Sequence, residues 1–422
     1  MEIYTINDAF NKYLSNKTNE TKLVVFLFEN EQLKYQYNFS KNADNMLIYN
    51  TILTLLYLVG ADKIVFNGDI DSFKLFKEKF EKSYDFIFFK NIFSNISLQY
   101  VKCTLANKIE VAKVNVKIKN TNKTIGIDVG GSDIKIVCFD GNNLLYSNES
   151  IWHPKVNENI NYHINMINSI FDAALTYLNK DVDNIKISSA GVIKNNQIQL
   201  ANLFEKVDKS ICKDNINNFY INAIKRIEER LNKKINYIVL NDGDVSSIAG
   251  MNHYKLDNVL GLALGTSFAS GYVNDNKVYS YLNELSSIPF DLNNNLTVSD
   301  YLSQEGVIRF ANIYNLNLDK SLSKAEKLKV VQELYNQGND VAKKIFFEIG
   351  SLLADFISYI SNFIKVNNVI LQGRVLSNNS GKYLYQVCKE KLLNNINLIL
   401  PEESFVRIGQ AYTISLIDIN DC

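Results

Sequence analysis

The sequence lacks an excess of charge of either sign, because Lys+Arg and Asp+Glu both number 45 in 422 residues. No overall field therefore draws the protein to nucleic acid or to an anionic membrane, and we expect small molecules rather than nucleic acid as its partners. No apolar run reaches the ~18 residues that a membrane span needs, and the polar stretch 1–10 is unlike a signal peptide. A cytoplasmic protein without a membrane segment is expected.

Patterns that would indicate a metal site, a disulfide framework or a common nucleotide loop are also missing. The sequence contains neither a Walker P-loop nor a G-x-G-x-x-G motif. It has only three histidines, and its cysteines are scattered without a C-x-C or C-x-x-C spacing. These cysteines are Cys103, Cys138, Cys212, Cys388 and Cys422. We expect reduced thiols and no structural zinc.

Strand and helix signals alternate from end to end, which predicts an α/β fold with a largely parallel sheet. The polar, charged stretch 113–122 (KVNVKIKNTN) interrupts the pattern and is the candidate linker. Before it, strands are predicted at 23–28 and 63–66, and helices at 46–59 and 72–80. This first part is predicted to be a small α/β module.

The stretch after the linker, TIGIDVGGSDIKIVCFDG, places Asp128 in an otherwise apolar strand just before two glycines. Gly130 and Gly131 allow positive φ and close approach to a ligand, so the turn to Ser132 could aim N–H groups at phosphates. Asp128 would then face a magnesium ion held by those phosphates, directly or through water. A tight hairpin in which Asp128 bonds its own turn is the alternative. Lys135 could reach a phosphate or be a solvated strand residue.

Two further motifs follow along the chain. Gly265, Thr266 and Ser267 form a second glycine loop between apolar strands, although such a turn is also common in ordinary hairpins. Asn241 and Asp242 follow a strand, at the edge where ligands bind in open α/β sheets. Asp242 could accept a proton from a substrate hydroxyl; alternatively, Asp242 or Asp244 is the N-cap of a helix.

The order of these motifs resembles the ROK family of sugar kinases and regulators, within the actin-like and hexokinase-like ATPase superfamily. Asp128–Ser132 is similar to its first phosphate motif, D-x-G-G-T, and Asn241–Gly243 to its catalytic N-D-A. The other similar segments are Gly265–Ala269 (second phosphate loop), Ala190-Gly191 and Ala201-Asn202 (sugar side), Ile370–Gly373 (adenosine side) and Gly409–Ala411 (before the last helix). The resemblance covers residues 123–422 and leaves the first module unexplained.

The sequence also departs from the family pattern. Glu284 matches the glutamate of the family's E-x-G-H motif, but Ser287 replaces the histidine, and the cysteine-rich loop after it is missing. The second loop has lost two glycines, and Arg374 stands where a glycine is usual. These changes favour the alternative function, a sugar-binding regulator or sensor that no longer transfers phosphate.

The resemblance implies a two-lobed actin-like ATPase (ribonuclease H-like) fold with an additional N-terminal α/β module. The expected domains are 1–119 (the module), 120–240 (the small lobe, completed by the helix 409–422) and 241–408 (the large lobe). The implied activity is ATP-dependent and Mg²⁺-dependent phosphorylation of a sugar hydroxyl, with Asp242 as general base. A homodimer is left open by the sequence.

The resemblance assigns the site residues to two groups. The nucleotide phosphates are expected to contact Asp128, Gly130, Gly131, Ser132, Lys135, Gly265, Thr266, Ser267 and Gly373. The sugar is expected to contact Gly191, Asn202, Asn241, Asp242 and Glu284.

Overall fold

The computed structural model describes residues 3–102, 113–115, 122–274, 277–279, 281–392, 395–401 and 409–417. The strands are β1 Thr21–Glu29, β2 Gln32–Ser40, β3 Lys63–Gly68, β4 Ser97–Val101, β5 Lys113–Asn115, β6 Thr124–Val129, β7 Asp133–Asp140, β8 Asn143–Ile151, β9 Asn184–Ser189, β10 Val192–Lys194, β11 Gln197–Leu200, β12 Asn236–Asn241, β13 Val259–Leu264, β14 Phe268–Asn274, β15 Lys277–Tyr279, β16 Pro289–Asp291, β17 Leu296–Thr297, β18 Asn368–Gln372 and β19 Asn397–Ile399.

The helices are α1 Ile6–Ser15, α2 Asn45–Val59, α3 Ile70–Glu81, α4 Tyr84–Phe93, α5 Ile160–Tyr177, α6 Lys209–Asn217, α7 Phe219–Leu231, α8 Asp242–Tyr254, α9 Gln304–Ile313, α10 Lys324–Asn336, α11 Asp340–Ile360, α12 Asn378–Lys391 and α13 Gly409–Leu416. Short 3-10 helices occupy Pro154–Val156, Asn202–Phe204, Leu285–Ser287, Val298–Asp300 and Arg374–Leu376.

The described residues form two compact units. The first comprises Met1–Ala112, Asn258–Ser270 and Tyr279–Leu400, and the second Lys113–Asp257, Gly271–Val278 and Pro401–Cys422. The first therefore combines the N-terminal segment, defined here as residues 3–102, with most of the C-terminal half of the chain. The sequence analysis had instead expected a separate N-terminal module.

The first unit contains a sheet in the order β2-β1-β3-β4 and the neighbouring strands β19, β18 and β13 of a second sheet. Helix α2 explains why the N-terminal segment belongs to this unit. Its residues from Leu47 to Val59 are all buried, and a helix that is apolar on every face must be covered on every side. Part of that cover is α11, where the hydroxyl groups of Thr54 and Tyr359 share a hydrogen bond of 2.9 Å.

The second unit is built on the sheet β12-β9-β6-β7-β8. Strand β6 pairs in parallel with β9 and antiparallel with β7, and a hairpin turn at Gly141 (φ +59°) joins β7 to β8. Helix α13 lies against β6, where a Cβ on Gly126 would be only 2.5 Å from the carbonyl oxygen of Ala411. Glycine at 126 therefore permits the close packing of the C-terminal helix.

The boundaries along the chain differ from those expected. Helix α8 lies in the second unit, so this unit extends to Asp257 rather than ending at Leu240. Helix α1, strand β2 and helix α4 were not expected from the sequence. In the part of the chain that the structure describes, no helix has the length and apolarity needed to cross a membrane.

Candidate active site

The predicted site residues lie in both units. The second unit holds Asp128, Gly130, Gly131, Ser132, Lys135, Gly191, Asn202, Asn241 and Asp242. The first unit holds Gly265, Thr266, Ser267, Glu284 and Gly373.

Two hydrogen bonds from Trp152 hold the first glycine turn. The indole Nε1 donates to the carbonyl oxygen of Gly130 at 2.9 Å, and the backbone N–H donates to the carbonyl oxygen of Ser132 at 3.1 Å. Among the described residues, none accepts a hydrogen bond from the N–H of Gly131 or Ser132. These two donors are therefore available to an anion.

Neither Gly130 nor Gly131 adopts the positive φ that glycine allows. The turn is closed by a hydrogen bond of 3.0 Å from the Gly130 N–H to the carbonyl oxygen of Asp133. The end of the Lys155 side chain lies beside Gly131, where a Cβ would be 3.2 Å from its Cε and 3.5 Å from its Nζ. Lys155, which the sequence analysis missed, adds an exposed cation beside the turn.

Asp128 is buried at the end of β6, with 4% of its surface exposed. Its Oδ1 accepts a hydrogen bond of 2.7 Å from Oγ of Ser188, and its Oδ2 lies 4.0 Å from Nζ of Lys135. Burial raises the pKa of Asp128 to about 6, although Ser188 and Lys135 both favour the charged form. Asp128 does not bond its own turn, so the hairpin alternative is not what the structure contains.

Lys135 pairs more closely with Asp133, at 3.0 Å, than with Asp128. Its side chain is 21% exposed, so it is not simply a solvated strand residue. It partly neutralises the two acids at this edge of the sheet.

Asp242 is the first residue of α8, directly after β12. The N-cap of α8 is Asn241, whose Oδ1 accepts a hydrogen bond of 2.8 Å from the N–H of Gly243. The expectation of an N-cap at Asp242 or Asp244 is therefore wrong, because the preceding amide already caps the helix. Gln410 supports the turn from α13 by donating to the carbonyl oxygen of Asp242 at 3.2 Å.

Asp128 acts electrostatically on Asp242. Burial, followed by the negative charge of Asp128, raises the pKa of Asp242 to about 7. A negative charge nearby disfavours the ionisation of a second acid. The carboxyl group of Asp242 is thus able to accept a proton near neutral pH.

Tyr220 on α7 is a further residue that the sequence analysis missed. Its hydroxyl group shares a hydrogen bond of 2.7 Å with Oγ of Ser189, and both residues are buried. Burial and the charges of Asp128 and Asp242 raise the pKa of Tyr220, so the phenol stays neutral beside the acids. No motif marked it in the sequence.

Near the two acids, Asn241 links α8 to the segment predicted to contact sugar. Its Nδ2 donates to the carbonyl oxygen of Gly191 at 2.7 Å. Gly191 has φ +116°, and a Cβ there would lie 2.5 Å from the carbonyl oxygen of Leu200. Asn202 begins a 3-10 helix and its side chain is exposed.

In the first unit, Gly373 packs against Leu264, the residue directly before the second glycine loop. The Gly265 N–H donates to the carbonyl oxygen of Ser267 at 3.0 Å, while Thr266 and Ser267 are exposed. Gly373 has φ +109°, and a Cβ on it would lie 2.4 Å from the carbonyl oxygen of Leu264. The structure thus brings the phosphate-loop candidate and the adenosine-side candidate together within this unit.

Glu284, also in the first unit, is partly buried and directly precedes the 3-10 helix Leu285–Ser287. Its backbone N–H donates to the carbonyl oxygen of Tyr57 at 2.9 Å, so α2 contacts the segment that carries it. No motif in the sequence marks this contact.

Asp128 is a candidate ligand for a divalent cation. Asp128 offers Oδ2, since Ser188 occupies Oδ1, and a single carboxylate fits a magnesium ion that takes its other oxygens from phosphates and water. Among the residues described, no group of three or more His, Cys, Asp or Glu side chains could hold a metal ion.

No family model matches the sequence, and no curated protein sequence matches it. Solved structures do match. The ROK hexokinase from Thermus thermophilus superposes with a TM-score of 0.52 at 13% identity, covering 70% of this chain and 97% of that one. A candidate sugar kinase from Cytophaga hutchinsonii gives 0.53 at 16% identity, covering 69% and 99%.

A ROK family protein from Streptococcus pneumoniae, solved in complex with sucrose, gives a TM-score of 0.52 at 13% identity, covering 69% of this chain and 96% of that one. The chain therefore has the α/β fold of ROK sugar kinases, the actin-like ATPase fold, as expected from its motifs. The matched part makes up 69–70% of this chain and 97–99% of the first two matched chains, so about 30% of this chain lies outside the match.

Proposed function

We propose that this protein is an ATP-dependent kinase that phosphorylates a sugar hydroxyl group. The observation that carries the proposal is the pair Asp128 and Asp242, in which burial and the negative charge of Asp128 raise the pKa of Asp242 to about 7. Perturbed acids with a specific charge partner are typical of functional sites. The shared fold with sugar kinases supports the proposal independently.

Asp242 is proposed as the general base. As the sugar oxygen forms its bond to the γ-phosphorus of ATP, the hydroxyl proton passes to the carboxylate of Asp242. The bond from that phosphorus to the bridging oxygen breaks and ADP leaves with its electron pair. A pKa of about 7 suits this role, because proton transfer is most efficient when the base titrates near the working pH.

The phosphates are proposed to be held by backbone donors and cations. Gly131 and Ser132 supply two N–H groups, and Lys155 lies beside them. The loop Gly265–Ser267 and Gly373 are proposed as a second set of contacts on the nucleotide. Bound Mg²⁺, held by Asp128 directly or through water, would neutralise charge on the transferred phosphoryl group.

The sugar is proposed to contact Asn202, Glu284 and the Gly191–Asn241 pair. Hydrogen bonds from such polar groups select for hydroxyl positions, since a site built on them rejects analogues that lack the partner. Nδ2 of Asn241 donates to the carbonyl oxygen of Gly191. Because Asn241 directly precedes Asp242, it connects the sugar side to the proposed base.

A coupled ADP-release assay with ATP, Mg²⁺ and a panel of hexoses, hexosamines and N-acetylated sugars tests this proposal. We expect sugar-dependent turnover that falls by at least ~100-fold in Asp242→Asn. Asp244→Asn is the matched control, because Asp244 is a second acid in the first turn of α8 and its loss changes the helix terminus similarly. Thermal unfolding checks that both variants are folded.

Saturable sugar binding without ADP release in the wild type would instead favour the alternative, a sugar sensor on the same fold. Equal turnover in Asp242→Asn and Asp244→Asn would remove Asp242 from the mechanism.

A further inference from the structure

The last turn of α2 leaves four carbonyl oxygens without helical partners, as every α-helix does. The N–H of Gly60 makes the last helical bond, to Leu56 at 2.9 Å, and the carbonyl group of Val59 accepts a hydrogen bond of 2.8 Å from Nζ of Lys34. The carbonyl groups of Tyr57 and Leu58 remain.

Those two carbonyl oxygens accept hydrogen bonds from the segment that carries Glu284. The N–H of Asn283 donates to Leu58 at 3.0 Å and the N–H of Glu284 donates to Tyr57 at 2.9 Å. Backbone bonds of this kind fix the main chain itself, so Glu284 is attached to the end of α2 at its own peptide group.

Three further features hold the same segment in one conformation. Oγ of Ser270 donates to the carbonyl oxygen of Asn283 at 2.7 Å, and Asn283 has φ +53°. Gly60 packs so closely that a Cβ on it would lie 3.0 Å from Cζ of Phe93 and 3.2 Å from Cβ of Leu282. Any change in the end of α2 therefore acts directly on residues 282–284.

The side chain of Tyr57 extends this connection to the carboxyl group. Its hydroxyl donates to Oδ1 of Asp85 at 2.6 Å. Burial, then Asp85, and then the charge of Glu284 raise the pKa of Tyr57. The hydroxyl group thus lies within the electrostatic reach of Glu284 and remains protonated there.

We propose that the N-terminal segment is a positioning element for the sugar site, in which the C-terminal turn of α2 fixes Glu284 through the carbonyl groups of Tyr57 and Leu58. The claim that Glu284 contacts sugar rests on the proposed function, whereas the attachment of Glu284 to α2 can be tested without activity. Tyr57 is a positioning residue, because it acts on substrate only through Glu284.

The first test uses two Gly→Ala variants of the full chain. Gly60 and Gly338 both have positive φ (+73° and +80°), so alanine strains the backbone similarly at each, but nothing lies within 4 Å of a Cβ at Gly338. Amide hydrogen exchange of a peptide spanning 282–288 should accelerate in Gly60→Ala and stay at the wild-type rate in Gly338→Ala. Equal exchange in the two variants would overturn the proposal.

The second test is kinetic and uses the sugar that the ADP-release assay identifies. Gly60→Ala should raise the KM for that sugar roughly tenfold, since small misplacements of a binding group are costly, and should leave kcat and the KM for ATP within about twofold. Equal losses in kcat and in both KM values would indicate a merely structural role. Absent turnover in the wild type would count against the proposed function alone, because hydrogen exchange still reports the attachment.

A second pair of variants tests the proposal if Gly60→Ala does not fold. Tyr57→Phe removes the hydroxyl group near Glu284. Tyr359→Phe removes a buried hydroxyl group that bonds Thr54, which lies on α2 as Tyr57 does. Only Tyr57→Phe should accelerate exchange at 282–288 and raise the sugar KM, and adding Asp85→Asn should restore both by removing the unpaired charge. Identical behaviour of the two Tyr→Phe variants would contradict the proposal.

Discussion

Ser188 donates a hydrogen bond of 2.7 Å from its Oγ to Oδ1 of Asp128, and both side chains are buried. The two residues face each other because β9 pairs in parallel with β6 in the register that places Ser188 opposite Asp128. The bond stabilises the charged form of an acid whose pKa burial raises to about 6. Ser188 therefore helps keep Asp128 ionised at neutral pH.

Ser188→Ala should weaken nucleotide binding in a pH-dependent manner. Without its donor, the pKa of Asp128 rises further, so less of the carboxylate is charged at pH 7. We expect the KM for ATP in the presence of Mg²⁺ to increase roughly tenfold at pH 7, as for loss of a bond to a charged group, and to recover at higher pH. Ser189→Ala is the control, since Ser189 is equally buried but bonds Tyr220. An increase that is independent of pH would contradict this role.

The acids of the site could be predicted from sequence, whereas their neighbours could not. Asp128 and Asp242 each follow an apolar run and precede glycine, so local pattern alone marks them. Ser188 reaches Asp128 only through strand pairing, and Tyr220 only through the packing of α7. Such contacts join residues that are distant in the chain, and neither periodicity nor motif spacing encodes them.

The packing of the N-terminal segment could not be predicted from the sequence for the same reason. The stretch 46–59 was predicted as a helix, and its uniform apolarity is a signal that it must be covered on every side. What covers it, including Tyr359 and the Asn283–Glu284 segment, comes from more than 200 residues further along the chain. The polar stretch 113–122 does begin where the chain passes from the first unit to the second, at Lys113, but the first unit continues later in the sequence.

The dependence of activity on pH should show an acid limb near neutrality. Asp242 must be ionised to accept a proton, and burial with the charge of Asp128 raises its pKa to about 7. We therefore expect kcat/KM for the sugar to increase with pH and to level off above about 7. A pH series in buffers of constant ionic strength measures it. A limb near pH 4 would show that Asp242 is not the titrating group.

Asp242→Asn should stabilise the protein at high pH. The folded-state pKa of about 7 exceeds the ordinary value of 3.8, so the native state binds the proton more tightly than the unfolded chain. Stability contributed by the protonated acid is present below about pH 4 and is lost as the pH rises through 7. Asparagine avoids this loss, and we expect the variant to gain roughly 2 kcal/mol at pH 8, where wild-type Asp242 carries a buried charge.

The same comparison at pH 5 is the internal control. There the folded carboxyl group is still protonated and only the unfolded chain has ionised, so urea unfolding should show a clearly smaller gain for Asp242→Asn than at pH 8. An equal gain at both pH values would mean that the substitution acts through packing rather than charge.

Gly191→Ala should disrupt the sugar side of the site. With φ +116°, and with a Cβ that would lie 2.5 Å from a backbone oxygen and 2.7 Å from Cβ of Ala201, alanine must displace the main chain next to Asn202. We expect a loss of roughly 2 kcal/mol or more in stability and a higher KM for the sugar. Gly141→Ala is the control, because Gly141 also has positive φ but a Cβ there would meet no atom within 4 Å. In the same thermal and kinetic measurements it should lose less stability and leave the KM for the sugar unchanged.

Lys186→Met should release the C-terminal helix from the sheet. Lys186 is 3% exposed on β9, and its Nζ donates to the carbonyl oxygens of Ser415, at 2.8 Å, and of Ile417. Methionine keeps much of the apolar stem but leaves these buried carbonyl groups without that donor, which should cost roughly 2–3 kcal/mol. Urea unfolding measures the loss, and limited proteolysis should cut first within α13.

Activity should fall with the release of α13, because Gln410 on this helix donates to the carbonyl oxygen of Asp242. Lys233→Met is the matched control: Lys233 pairs with Asp181 and Asp183 but is 37% exposed, and exposed pairs contribute less than about 1 kcal/mol. If both variants lose stability equally and α13 stays protected from protease, Lys186 does not anchor the helix. If α13 is cut while turnover persists, Gln410 does not support the proposed base.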